Sequence, residues 1–133
     1  MMQADANASK VGLGRKNPRL LVYCGPGGRP VEEVMARAAE VTPRLAPAAR
    51  PLEDGSNSLV GLLLVNDSLP LIDIATRPDG SFAVIDGRFI HPTTSLDQVL
   101  DDWLADGDIT FNKYPFLGLI AVWSPKSLRC VMA

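Results

Sequence analysis

The sequence predicts an α+β domain in which two helices and mostly antiparallel strands are arranged in layers. Three observations predict it. Short β-prone runs bounded by Gly, Pro, Asn and Asp recur along the chain, two segments carry apolar residues at helical spacing, and the order is strand, helix, several strands, helix, hairpin. At 133 residues, 47% hydrophobic and 21% charged, the chain suits one domain with its own core. A domain of that size removes roughly two thirds of its unfolded surface from water.

Residues 1–18 mix Gly, Ser, Asn and charges without hydrophobic period and read as a flexible leader, which leaves 19–133 as the domain. Residues 19–24 form a compact β-prone run, stopped by Gly25-Pro26-Gly27-Gly28. Pro30 suits the first turn of a helix, and Val31, Val34, Met35, Ala38 and Val41 share one face, so the first helix is expected over about 30–41. Pro43, Pro47, Pro51 and Gly55 then predict a long irregular loop over 42–57.

Runs at 59–65, 70–76 and 82–85, joined by Asn66-Asp67-Ser68 and Arg77-Pro78-Asp79-Gly80, predict three strands of one antiparallel sheet. Ser95, with Gln98 three residues on, is a capping-box start for a second helix with the apolar stripe Leu96, Val99, Leu100, Trp103 and Leu104, ending near Gly107. Residues 117–123 and 128–132, around the turn 124–127, make a last hairpin. A chain that stops on an apolar strand is expected to be a fragment, because termini are usually polar and frayed.

Charge and hydropathy exclude several function classes. Thirteen basic residues against fifteen acidic ones give a net charge of −2, so no electrostatic excess exists to neutralise a nucleic acid. The longest apolar runs have a strand's length, well short of the ~20 residues of a membrane helix. The first residues lack an apolar signal core, so a cytoplasmic location and no membrane partner are expected. Cys24 and Cys130 are then expected as buried free thiols.

No catalytic constellation converges. Cys24, before a Gly-rich turn and a helix start, is the one weak candidate nucleophile, but His91 is the sole histidine, and a packed core thiol is the expected state. The Gly25–Gly28 turn is followed by Arg29-Pro30 instead of the Lys and Ser or Thr of a phosphate loop. Asp97, Asp101, Asp102, Asp106 and Asp108 are dense enough to suggest a cation. They lack the calcium-loop pattern and read as a solvated helix face, so no metal or cofactor is assigned. Phe111 and Tyr114 read as packing residues.

The second half carries a family resemblance. Val84-Ile85-Asp86-Gly87-Arg88-Phe89-Ile90 is similar to an Asn-Gly-Glu-Ile-Tyr-Asn stretch, and Ser95-Leu96-Asp97-Gln98 stands where an Asp-Thr-Glu helix start falls. Residues 116–124 resemble a Leu-x-Gly-x-Phe-Ala-x-x-x-Trp-Asp strand, and 128–133 a Leu-Leu-Leu-Ala-Arg strand. Together, residues 59–133 resemble the amino-terminal glutaminase-type domain of the asparagine synthetase and β-lactam synthetase family, a class II glutamine amidotransferase of the Ntn-hydrolase group.

The resemblance implies a layered αββα sandwich, incomplete here, and a glutaminase site in which an amino-terminal cysteine attacks glutamine while an Asn-Gly pair holds the oxyanion. In this chain the corresponding positions are degenerate. The chain begins Met1-Met2-Gln3, Asp86 replaces the amide beside Gly87, Ser95 replaces a substrate-binding acid, and Leu62 to Val65 hold no arginine. A carboxylate at 86 repels an oxyanion where an amide donates to it. The implied function is a glutaminase-inactive domain with no activity of its own, serving as structural partner to an ATP-dependent, amide-forming synthetase domain or protein. A free-standing protein-interaction module without catalysis is the alternative.

Overall fold

The computed structural model describes residues 19–49, 59–66, 71–125 and 127–132, with the backbone alone at Cys130. Leader residues 1–18 and loop residues 50–58 lie outside them. Chain order is β1 (Leu20–Pro26), α1 (Arg29–Val41), β2 (Ala46–Ala49), β3 (Leu59–Val65), β4 (Ile72–Thr76), β5 (Phe82–Phe89), α2 (Leu96–Asp106), β6 (Phe116–Ser124) and β7 (Ser127–Met132), with a 3-10 stretch over Gly107–Asn112. The α+β class expected from the sequence is what the chain adopts.

Two antiparallel sheets form, one in the order β1-β3-β2 and the other β4-β5-β6-β7. Strand alternation shows how they stack. On β3, Val60, Leu62 and Leu64 turn to α1 and join Val31, Ala38 and Leu45, whereas Leu63 and Val65 turn the other way and join Phe82, Val84, Ala121 and Trp123. On β5 and β6, Ala83, Ile85, Ile120 and Val122 face outward to Leu96, Leu100 and Trp103 of α2. The layers therefore run α1, first sheet, second sheet, α2. Because β3 is covered on both faces, it is a continuous apolar run without polar alternation.

Trp123 is the largest fully buried side chain of the inter-sheet layer. Its ring stacks on Phe82 at 5.9 Å and lies over Gly61 of β3, where any side chain would collide with it. A glycine inside an apolar strand marks such a close approach. A second close approach joins β5 to β6 at the facing pair Gly87 and Gly118, both with positive φ.

Several sequence expectations need correction. Residues 59–65 and the two following strands are not one sheet, since β3 pairs with β1 and β2 while β4 pairs with β5. The 42–57 segment is not wholly irregular: Ala46–Ala49 pairs with β3 across a bulge despite Pro47, which is tolerated because β2 is an edge. β1 runs on through Gly25 and Pro26, held by Val60 and Leu59, and β5 runs through Asp86 and Gly87 to Phe89. Cys24 is exposed, not a buried thiol, because it lies on β1, an edge strand of the first sheet. The capping box is half made. Ser95 Oγ accepts from the Gln98 N–H at 3.1 Å, but the Gln98 side chain turns away to Asp102. No helix among the described residues is long and apolar enough to cross a membrane.

Candidate functional site

The residues singled out by sequence do not converge on one point. Asp86 lies on the inter-sheet face of β5, by alternation with Phe82 and Val84, at the end of the sandwich where β1 begins. Its Oδ2 accepts from Arg19 Nε at 2.5 Å, and the two side chains keep 20% and 40% of their exposure. The pair links the sheets, since Arg19 leads into β1 and its carbonyl accepts from the Asn66 N–H at the end of β3. This carboxylate pushes the Arg19 guanidinium further above its already high range, chiefly through that hydrogen bond.

Beside it, the Gly87 N–H donates to the Leu71 carbonyl at 2.8 Å. Leu71 adopts a left-handed conformation, φ 69°, uncommon for a residue with a branched side chain, and this turn delivers its carbonyl to Gly87. The two groups that the resemblance offers to an oxyanion are thus both committed: Asp86 to a guanidinium and the Gly87 N–H to a carbonyl.

Cys24 belongs to another part of the same face. Its Sγ accepts from the Trp123 indole N–H at 3.1 Å. Trp123 pairs with Phe82, four residues before Asp86 along β5, so Cys24 and Asp86 are separated by roughly 13 Å of strand at about 3.3 Å per residue. Cys24 therefore does not share a reaction centre with Asp86 and Gly87. His91 sits in an exposed turn, where its carbonyl accepts from the Thr94 N–H. Ser95 caps α2, the helix on the outer face of the second sheet, and its hydroxyl is spent there.

The acidic cluster resolves into separate hydrogen-bonding tasks. Asp97 and Asp101 both accept from Arg77, whose fork also donates to the Thr76 and Asp97 carbonyls and thereby ties the β4–β5 turn to α2. Asp102 accepts from the Tyr114 hydroxyl, which holds its carboxyl below the usual range. Asp108 accepts from the Trp103 indole N–H at 3.0 Å and from Arg129 Nε at 2.9 Å, and is also held low, mainly by Trp103. Among the described residues no group of three His, Cys, Asp or Glu side chains has the spacing of a metal site.

Two hollows accompany these features. A groove of about 300 Å³ lies between α1 and β1, lined by Leu21, Val34, Ala38, Val41 and Leu45, on the side of the first sheet away from Asp86. A more polar one of about 280 Å³ lies between the end of α2 and β7, around Asp108, Arg129 and Leu104.

Arg19 and Trp123 were absent from the sequence-derived site. Nothing marks Arg19 in the sequence, because its importance comes from a partner 67 positions away. Trp123 had a legible signal in Gly61, the one residue of the β3 run without a side chain.

The site and fold define an α+β protein of two facing antiparallel sheets whose sheet-end polar groups are internally paired. Comparison with protein-family models, with curated proteins and with solved structures found no match to this chain.

Proposed function

We propose that the chain is a glutaminase-inactive domain of the class II amidotransferase type, acting as structural partner of an ATP-dependent amide-forming protein in the manner of asparagine synthetases. The observation that carries the reading is the double commitment at residues 86 and 87. An oxyanion hole needs donors left open for the developing charge. Here the side chain is a carboxylate bound to Arg19, and the neighbouring N–H is used by Leu71.

Two further observations support it. The layer order, with a helix outside each of two facing sheets, agrees with the architecture that the resemblance implies. A terminal cysteine nucleophile has to reach the oxyanion donors, and the residue at the start of β1 beside Asp86 is Arg19, whose guanidinium has no nucleophilic character.

The test is isolation of the tagged chain from its native host after mild cross-linking, followed by an ATP–pyrophosphate exchange assay on the isolate. The expected result is a co-isolated protein that supports exchange, while the chain alone releases no ammonia from glutamine. Ammonia release by the purified chain, or an isolate without any adenylating protein, would overturn the reading. The interaction-module alternative is favoured by the open edge of β7, and it predicts a stable complex whose partner has no ATP-dependent activity.

A further inference from the structure

The four outer strands are not protected equally. An edge strand presents unpaired N–H and C=O groups, and proteins blunt it with Pro, charges or bulges. β2 carries Pro47 and a bulge. β1 is flanked by the Arg19 charge and ends on Pro26, whose carbonyl accepts from the Tyr23 hydroxyl. On β4 the Asp73 side chain accepts the N–H of Ile74, removing one outward donor. β7 has neither a proline nor a bulge, and its one charge is Arg129. Its six residues, Ser127 to Met132, contain no proline, lysine or acid and keep an unbroken register with β6.

Apolar side chains are exposed on both sides of β7, beside the Arg129–Asp108 pair on the α2 side. Met132 is 80% exposed on the inter-sheet face, and Leu104 and Ile109 are 42% and 60% exposed on the α2 side. Leu104 lines the hollow that also touches Ser127 and Arg129, and Ile109 follows Asp108, which holds Arg129. The single charge of the strand, Arg129, is thereby already balanced within its own chain.

From this we infer that β7 is a self-association edge, and that its occupant is β7 of a second copy running antiparallel. A two-fold axis at Cys130 sets Leu128 opposite Met132 of the second copy and Arg129 opposite Val131. Apolar meets apolar on one face, and no like charges stand directly opposite. The four-stranded sheets of two copies then become one continuous sheet. A self-complementary strand with a neutralised charge suits a second copy better than a charged peptide. The inference is independent of the amidotransferase reading.

Light scattering of the full chain during size-exclusion chromatography, over the micromolar range, is the test. The expected species is a dimer. Met132→Lys, at a position exposed enough to leave the fold intact by circular dichroism, raises the dimer dissociation constant about tenfold or more. Leu104→Lys acts in the same direction from the other face, and Asp73→Lys on the opposite edge leaves the dimer unchanged. A monomeric wild-type chain at every concentration overturns the inference, as does a dimer that both β7-flanking substitutions leave intact.

Discussion

Trp123 covers Gly61 so closely that a β-carbon on the glycine falls 2.3 Å from the indole Cδ2 and 2.6 Å from Cε2. The indole belongs to β6 and the glycine to β3, so this contact sets the spacing of the two sheets at one point. Packed interiors respond to a single added methyl group, because neighbours have no slack.

Gly61→Ala is expected to destabilise the domain by about 1–3 kcal/mol, the usual range for overpacking. Urea titration followed by tryptophan fluorescence measures it, and the native emission shifts because the ring is displaced from Cys24. Pairing the change with Trp123→Leu recovers part of the loss. A Gly61→Ala protein as stable as wild type would show that the sheets can separate freely.

The Gly87–Gly118 pair obeys a stricter rule, since its obstacles are backbone. A β-carbon on Gly87 meets the Leu117 carbonyl oxygen at 2.0 Å, and one on Gly118 meets that of Asp86 at 2.1 Å, both at positive φ. Either alanine substitution is expected to cost about 3 kcal/mol or more, and the double substitution less than the sum, because each opens the same strand pair. Thermal unfolding of the three proteins checks this, and additive losses would count against a shared cause.

Asp86→Asn tests the proposed inactivity at the position where the resemblance expects an amide. The amide loses the ion pair with Arg19 yet leaves the Gly87 N–H on Leu71. The urea midpoint falls modestly, and no ammonia is released from glutamine. Release of ammonia by this variant would mean that a single residue had silenced a working site.

Stability depends on pH at both ends of the scale. The Tyr114 hydroxyl holds Asp102 low, the Trp103 N–H and Arg129 hold Asp108 low, and the Ser81 N–H holds Asp79 low. Their contribution is complete above about pH 4 and is lost as pH falls through the lower folded-state values. Asp102 in turn pushes the Tyr114 phenol up, so that contribution is complete below about pH 10 and is lost as pH rises through the raised folded-state value. Urea midpoints across the pH range should therefore fall at both extremes. Tyr114→Phe removes its share of the alkaline fall and shrinks the acid one, and superimposable profiles would refute this assignment.

Much of the fold was legible because it rests on local pattern. The faces of α1 and α2, the cap at Ser95, the β3 run and the last hairpin all follow from spacing between near neighbours. What was not legible rests on distant partners. The apolar run 59–65 does not reveal that its even and odd residues serve different layers, so its spacing alone groups it with β4 and β5. Prolines hid β2, whose pairing comes from β3 alone. The site suffered most. Asp86 and Ser95 were identifiable as positions, but their chemistry is set by Arg19 and by a helix N-terminus, and only the folded chain brings those together. Alternation turns Cys24 inward, and its exposure comes from its place on the edge strand β1, which spacing between near neighbours does not reveal.

The two sheets draw on separate stretches of chain, the first on residues up to Asn66 and the second on residues from Ile72 onward. Among the described residues the polypeptide thus passes from one layer to the other once, and each side of that passage holds one helix and one sheet. Among the described residues no backbone ladder bridges the divide; apolar side chains, the Trp123–Cys24 hydrogen bond and the Arg19–Asp86 pair do. This partition predicts fragment complementation. Cut between the two stretches, the pieces should reassemble when mixed, and in hydrogen exchange the sheets should open as two cooperative units instead of one.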